Sequence, residues 1–293
     1  MKKNNIAAFM FFVIPALVTL LTFFFLPVFA AFLLSFTDFD IYSLGDLSNL
    51  RFTGFANYLD LFEDPLFWKS LTNTFYFVFA GAPLSILVSL SAALLVNSKL
   101  IKWKSTFRVV YFLPVITTLV AVAIVWRYIY HPRFGLFNYF LSFLGLEGMD
   151  WLGNPVLAMP SIIILAIWKN FGYNMIIFIA GLQNIPSELY EAADIEGANW
   201  WQKFRDVTLP LLAPTTIFIT IITMIGYFQL FAEPYIMTQG GPLNSTLSVV
   251  LYMYNEGFKW WNIGYATAIA FSLFIIIMTG TLIQLAIQRK LDR

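Results

Sequence analysis

Six long apolar segments, separated by shorter polar stretches, dominate the pattern of hydrophobic and polar positions in this chain of 293 residues. They cover approximately residues 8–36, 70–96, 109–130, 158–182, 211–232 and 263–287. Each is long enough to cross the ~30 Å hydrocarbon core of a bilayer as an α-helix. None shows the strict alternation of apolar and polar residues that marks a lipid-facing barrel strand. The pattern therefore predicts an all-α polytopic membrane protein with six transmembrane helices.

The amino-acid composition supports the same class of protein. Hydrophobic residues make up 60% of the chain and charged residues 11%, whereas about a quarter of the residues in a soluble globular protein are charged. We expect a single transmembrane domain over residues 1–293. The first apolar segment is much longer than the roughly 7–15 apolar residues of a secretory signal peptide, so we expect a retained span that is kinked or broken at Pro15 and Pro27.

Lysine and arginine residues are distributed unevenly between the two sides of the predicted spans. Eleven of the 17 fall on one side, namely Lys2, Lys3, Lys99, Lys102, Lys104, Arg108, Lys203, Arg205, Arg289, Lys290 and Arg293. Five fall on the other side, and Lys169 lies within a span. By the positive-inside rule the first side is cytoplasmic, which places both termini and the loop of residues 183–210 inside the cell.

Several kinds of chemistry are excluded by residues that the chain lacks. It contains no cysteine and a single histidine, His131, so a disulfide or a cysteine- or histidine-ligated metal site is not expected. The net charge of +1 does not favour a nucleic-acid partner. No glycine is followed by lysine, so the phosphate-binding pattern of ATPases is missing. We therefore expect no catalytic residue, metal or cofactor on this chain.

Two of the loops on the outer side are long enough to contain short helices. We expect these helices around residues 58–62 and 137–144, the second ending before a group of glycines. The loops are also rich in aromatic residues, which populate the interfacial belt of most membrane proteins. The outer loops therefore form either a landing surface for a partner or simple connections with interfacial aromatics.

A polar segment, residues 188–209, interrupts the apolar pattern between the fourth and fifth predicted spans. A first helix of about ten residues is predicted to start after Pro186 and to end at Gly197 in a left-handed turn. The small residues Ala192 and Ala193 lie in the middle of one helix face, where the backbone of another protein could approach closely. This face is therefore a candidate docking surface.

A second short helix is predicted after Gly197. Asn199 and Gln202 form a plausible cap for it, and Leu209-Pro210 is expected to end it. The segment carries five acidic residues against two basic ones. An amphipathic helix that lies on an anionic membrane surface usually has a basic polar face, so this alternative is disfavoured.

The polar segment resembles the EAA loop of ATP-binding-cassette (ABC) importer permeases, in the subfamily that moves sugars. The resemblance lies in a helix with Glu191-Ala192-Ala193, a turn at Gly197, a second helix and Leu209-Pro210. Residues 52–58, 135–141 and 238–242 are also similar to that subfamily. The resemblance implies the type I importer permease fold in the bacterial inner membrane. It also implies a second permease subunit, two ATPase subunits that bind ATP and Mg²⁺, and a solute-binding protein that delivers a sugar or oligosaccharide.

The resemblance assigns docking of the ATPase to the polar loop. The residues predicted to form this contact are Glu188, Glu191, Ala192, Ala193, Asp194, Glu196, Gly197, Leu209 and Pro210. The working hypothesis is mechanical: closure of the ATPase subunits around ATP moves the docked helix and so rotates the attached spans.

A substrate pathway is predicted from polar residues inside the spans. Lysine at the centre of a span costs about +2.5 to +3.5 kcal/mol on insertion scales, so Lys169 should face a polar cavity or pair with a partner subunit. The other predicted pathway residues are Asn170, Tyr173, Asn174, Tyr227, Gln229 and Glu233. Such amides, hydroxyls and aromatic rings suit a sugar. A buried lysine leaves open an anionic cargo, such as a sugar phosphate or a uronate oligomer.

Two other functional classes fit the sequence less well. An intramembrane enzyme would need a converging set of nucleophile, base or metal ligands. A secondary transporter that works alone would need an internal repeat and carboxylates within the membrane. Neither pattern is apparent in the sequence.

Overall fold

The computed structural model describes residues 3–98 and 101–291, and most of this part of the chain is helical. Lys2, Lys99 and Arg293, which the charge distribution counts, lie outside the described residues. Within the described part, five helices are long and apolar enough to cross a membrane, and a bent pair of helices supplies a sixth if it is one span. The predicted all-α polytopic architecture is confirmed.

The helices that carry the candidate spans are bounded as follows. They are α1 (Lys3–Leu20), α2 (Leu26–Leu34), α5 (Pro65–Asn97), α6 (Lys104–Ile116), α7 (Leu119–Ile129), α9 (Ala158–Gln183), α13 (Ala213–Phe228), α14 (Ala232–Met237) and α16 (Ile263–Leu291). Shorter helices connect them, namely α3 (Ile41–Gly45), α4 (Ala56–Glu63), α8 (Leu136–Phe143), α10 (Ser187–Ile195), α11 (Trp200–Lys203), α12 (Leu209–Leu211) and α15 (Val249–Tyr254). The expected outer helices are thus present as α4 and α8.

The chain divides into two compact units. The first contains the residues up to Trp68 together with Tyr252–Ile276, and the second contains Lys69–Leu251 and the residues from Ile277 onward. In the first unit, α1 and α2 are joined by a π-helical turn, Leu21–Phe25, so the first span is widened between its two prolines rather than broken at either.

The loop that follows α2 in the first unit is held against the end of α2 by residues 52–58. Asn57 donates from its side-chain amide to the carbonyl oxygens of Ser35 and Thr37, at 2.9 and 2.8 Å. The Tyr58 hydroxyl donates to the Ser35 hydroxyl at 2.8 Å. Gly54 supplies the positive φ of +62° that the turn before α4 requires. This stretch therefore fixes a loop, and its residue types follow from that role.

The second unit has its core where α5, α9 and α13 meet. The buried members of this core are Ala93, Val96, Met175, Phe178, Ile179, Leu182, Leu212 and Ile219. Gly181, near the end of α9, allows the close packing, since a Cβ at this position would lie 2.7 Å from Thr215 Oγ1 and 2.9 Å from Leu212 Cδ2. The core therefore ties the end of α9 tightly to the beginning of α13.

The third apolar segment is not the continuous helix that residues 109–130 predict. It forms α6 and α7, which are bent by 96° relative to each other. Pro114 in the last turn of α6 removes one intrahelical hydrogen bond, and Thr117 and Thr118 are extended, with ψ of 148° and 133°. The Thr117 hydroxyl satisfies the Pro114 carbonyl at 2.6 Å. Hydropathy misses this break because both sides of it are apolar.

The loop after α7 is organised by Asn138 on α8. Its side-chain amide nitrogen donates to the carbonyl oxygens of Pro132 and Met149, both at 2.8 Å. Its amide oxygen accepts from the Met149 N–H and from the Trp151 indole at 3.0 and 2.8 Å. Asn138 is buried and both ends of its side-chain amide are hydrogen-bonded. Residues 135–141 therefore hold the conformation of this loop.

Candidate functional site

A cavity of about 600 Å³ lies in the second unit, level with the middle of α9. Val115 at the end of α6 and Leu119 at the start of α7 contribute to its wall, together with residues of α9, α13 and α14. Its polar lining includes Asn170, Tyr173, Asn174, Thr223, Tyr227, Gln229 and Glu233. The volume lies within the roughly 300–1,000 Å³ typical of small-molecule sites.

The cavity brings together six of the seven predicted pathway residues. Asn170, Tyr173, Asn174, Tyr227, Gln229 and Glu233 all contribute to its lining. Lys169 does not. Sequence reasoning did not select Val115, Leu119 or Thr223, whose part in the wall depends on how separate helices pack.

The amides in the cavity are oriented by neighbours within the helices. Asn174, which is 3% exposed, donates to the Thr223 hydroxyl at 2.9 Å and so links α9 to α13. Asn170 donates to the Ala166 carbonyl at 2.9 Å, which leaves its amide oxygen available as an acceptor. These contacts hold polar groups at defined positions on the wall.

An aromatic pair lines the cavity next to α5. The ring of Tyr227 stacks on Phe77 with the ring centroids 4.9 Å apart. Gly81 makes room for it, because a Cβ there would approach Tyr227 Cε1 to 2.8 Å. A lone glycine four residues after an aromatic residue within a span was the sequence signal for this close approach.

The ammonium group of Lys169 forms a hydrogen bond with the protein backbone. Its Nζ donates to the carbonyl oxygen of Val115 at 2.9 Å, and the residue is only 8% exposed. Val115 lies in the last turn of α6, where carbonyl groups lack intrahelical partners and a positive charge is favoured. Gly172 permits the contact, since a Cβ at that position would collide with the Tyr111 carbonyl of α6. Lys169 therefore caps the C-terminal end of α6 and does not itself line the cavity.

Glu233, in the first turn of α14, is the acidic residue of the cavity. It is 8% exposed. Among the described residues, ion pairs within 4.0 Å join Lys203 to Asp194 and Arg205 to Asp206, so the Glu233 carboxylate has no such partner. A buried carboxylate on a cavity wall is costly unless it meets hydrogen-bond donors, which a hydroxyl-rich ligand would supply.

The polar loop between α9 and α13 forms a helical hairpin, residues 187–211. Gly197 ends α10 in the left-handed conformation, with φ of +75°, as predicted. The Ala198 N–H bonds to the Ala193 carbonyl at 2.9 Å and the Gly197 N–H to the Asp194 carbonyl at 3.1 Å. These bonds are a Schellman motif, which satisfies the carbonyl groups at the helix end.

The second arm of the hairpin begins as predicted but ends differently. Asn199 and Gln202 form a capping box, with N···O distances of 3.0 and 2.8 Å. The prediction that Leu209-Pro210 ends this arm is wrong, because the chain continues through a π-helical turn, Phe204–Thr208, into α12 and α13. Pro210 falls in the first turn after the π segment, where a missing N–H is tolerated.

Side-chain contacts brace the two arms of the hairpin. Lys203 Nζ lies 2.6 Å from Asp194 Oδ1, and the hydroxyls of Tyr190 and Thr208 are 2.9 Å apart. Next to them, the Arg205 guanidinium donates hydrogen bonds that lower the pKa of the Asp206 carboxyl. These contacts hold the two arms of the hairpin together.

The residues predicted to dock a partner lie on the surface of the hairpin. Glu188, Glu191, Ala192, Asp194, Glu196, Gly197, Leu209 and Pro210 are exposed, and Ala193 is half-buried. Sequence reasoning did not select Ile195. Its side chain is 88% exposed, the largest fraction among the large apolar side chains that the structure describes. The sequence signal for this exposed side chain was an isoleucine near the end of a helix that carries several acidic residues. An apolar side chain that protrudes this far is typical of a contact surface.

Comparison with known proteins places the chain in a family. Residues 6–293 match the family described as "Binding-protein-dependent transport system inner membrane component". The arabinooligosaccharides transport system permease protein AraP of Bacillus subtilis is 37% identical over 276 residues, which cover 94% of this chain and 86% of that protein. The lactose transport system permease protein LacF of Rhizobium radiobacter is 35% identical over 284 residues, covering 95% and 93% of the two chains.

The fold is similar to that of a chain in the crystal structure of a bacterial alginate ABC transporter in complex with alginate pentasaccharide-bound periplasmic protein. The TM-score is 0.83 with 21% sequence identity, and the match covers 96% of this chain and 93% of that one. The expected type I importer permease fold is confirmed. The chain therefore belongs to the family of binding-protein-dependent transport system inner membrane components, the non-catalytic permease subunits of ABC importers.

Proposed function

We propose that this chain forms part of the translocation path of an ABC importer for a sugar or oligosaccharide, and that the cavity is the place where the cargo passes. The observation that carries the proposal is a cavity of about 600 Å³ in which amides, hydroxyls and a carboxylate alternate with aromatic and aliphatic side chains. Sugar hydroxyls pair with such polar groups, while the C–H faces of a sugar lie on aromatic rings. The names of the relatives, which refer to arabinooligosaccharides and lactose, support this class of cargo.

The proposed assembly contains a second permease subunit, two ATPase subunits and a solute-binding protein that delivers the cargo. ATP and Mg²⁺ would bind to the ATPase subunits. Both termini and the hairpin would face the cytoplasm, in keeping with the excess of lysine and arginine on that side. The ATPase would dock on the hairpin, with the protruding Ile195 as an apolar anchor and the small Ala192 and Ala193 allowing close approach.

The proposed mechanism follows from how the hairpin is attached. Three residues separate α9 from α10, and the second arm runs into α13 through a continuous helical path. Residues of α9 and α13 line the cavity, and the core at Leu182 and Leu212 holds these two helices together next to the hairpin. A displacement of the hairpin by the closing ATPase would therefore be transmitted to the cavity wall, as alternating access requires.

The experiment is reconstitution of the purified complex in proteoliposomes with the solute-binding protein outside. We expect saccharide uptake only when ATP and the ATPase are present. Ile195→Glu should release the ATPase during purification because it places a charge at the apolar contact, whereas the matched Leu146→Glu, at an exposed residue of an outer loop, should retain it. Uptake by the permease without the ATPase would refute the importer, and full ATPase retention by Ile195→Glu would refute docking at this residue.

A further inference from the structure

Among the described residues, the cavity wall contains one acidic side chain and no basic one. Of all the described residues that line it, Glu233 alone has an ionisable acidic or basic side chain apart from its tyrosines. The rest of the polar lining consists of neutral amides and hydroxyls. The one acidic or basic group that a cargo meets on the described wall is therefore the carboxyl group of Glu233.

The nearby cation is turned away from the cargo. The Lys169 ammonium is bound to the Val115 carbonyl oxygen, and Lys169 does not line the cavity although Val115 does. No ion pair within 4.0 Å joins Lys169 to Glu233. Of these two residues, only Glu233 lines the cavity.

We propose that Glu233 makes this cavity selective for uncharged saccharides. Its carboxylate accepts hydrogen bonds from sugar hydroxyls, and such charge-assisted bonds are about twice as strong as neutral ones. The same carboxylate repels the carboxylates of uronates and the phosphates of sugar phosphates, because like charges act strongly on each other in a site of low dielectric. The inference rests on the proposed function, and it favours an uncharged saccharide over an anionic one as the cargo.

The test measures direct binding to the permease complex in nanodiscs, with no solute-binding protein, so that only the selectivity of the permease is observed. The two probes are a trimer of galacturonate and its fully methyl-esterified form, which share a skeleton and differ in charge. We expect the wild type to bind the ester about tenfold more tightly than the acid, given the cost of opposing like charges. Glu233→Gln should reduce this ratio to within about threefold by improving the affinity for the acid.

Two further variants and one wild-type measurement serve as controls. Glu233→Asp keeps the charge and should keep the preference, and Glu147→Gln, which makes the same change at an exposed loop position, should leave the ratio unchanged. If Glu233→Gln does not assemble, the wild type alone provides the test, because a carboxylate on the cavity wall should make it bind the ester more tightly than the acid.

The outcomes separate this inference from the proposed function. Equal affinity of the wild type for the two trimers, or an unchanged ratio in Glu233→Gln, would overturn the selectivity while leaving the cavity as a saccharide path. Failure of the wild type to bind either trimer at millimolar concentration would instead overturn the cavity as the cargo site, and both proposals would fall together.

Discussion

Lys169 illustrates how far a single residue can be interpreted without its neighbours. Its position at the middle of an apolar segment indicates that it must have a polar partner. The partner is the carbonyl oxygen of Val115, 54 residues earlier in the chain. Val115 lies at the end of α6, and the apolar pattern does not reveal that a helix ends there. The chemistry of the contact could be expected, since an ammonium suits a helix C-terminus, but its location could not.

Replacing Lys169 with methionine tests this capping role. Lys169→Met leaves the Val115 carbonyl buried without its donor, so we expect the free energy of unfolding of the complex to fall by about 1–3 kcal/mol. Thermal unfolding in detergent measures the loss, with Lys69→Met at an exposed position as the control. Because Lys169 is absent from the cavity lining, its replacement should change the cargo affinity little. A variant of unchanged stability that no longer binds cargo would show a direct role in the pathway.

At the scale of elements, the hairpin and the third apolar segment behave in opposite ways. The start and end of α10 and the cap of α11 depend on residues within one or two turns, so Gly197, Asn199 and Gln202 predict them from sequence. The break between α6 and α7 lies in an apolar run and becomes evident only from the extended Thr117 and Thr118. Local chemistry thus predicts helix ends better than apolar patterning predicts breaks.

Gly197 allows the geometry of the hairpin to be tested. No heavy atom lies within 4 Å of a Cβ built at this residue, so a substitution is penalised by the backbone conformation alone. We expect Gly197→Val to destabilise the turn by about 1–2 kcal/mol and to weaken ATPase association, because the left-handed region is unfavourable for it. Gly197→Asn should associate normally, since asparagine tolerates this region. Co-purification of the ATPase measures the effect, and equal association of all three proteins would contradict it.

At the scale of the whole molecule, the second unit connects the hairpin to the cavity. The core beside Leu182 and Leu212 joins α9 to α13 near the hairpin, and the same helices carry Asn174 and Thr223 on the cavity wall. Both sites therefore lie on one pair of packed helices. A path of this kind can transmit motion only if the packing of the two helices remains close.

Gly181 is the position at which this transmission can be tested. A Cβ there would lie 2.7 Å from Thr215 Oγ1, so we expect Gly181→Ala to force α9 and α13 apart at a cost of about 1–3 kcal/mol. The variant should still bind the ATPase at its intact hairpin but lose most ATP-driven uptake. Adding Thr215→Ala removes the crowding hydroxyl and methyl groups and should restore part of the uptake. Normal uptake by the single variant would exclude this contact from the coupling path.

The sequence by itself determined the membrane-spanning class, five of the apolar helices and the turn chemistry of the hairpin, because each depends on residues close together in the chain. It also identified six of the seven proposed pathway residues that share the cavity, since polar side chains in apolar helices need a polar surrounding. The tertiary structure decided the bend of 96°, the continuation of the helix past Pro210 and the partner of Lys169. The contact of Lys169 joins segments 54 residues apart, and the pairing of a buried polar group decides it. The bend and the continued helix depend on the backbone conformation at Thr117, Thr118 and Pro210, which an apolar pattern does not specify.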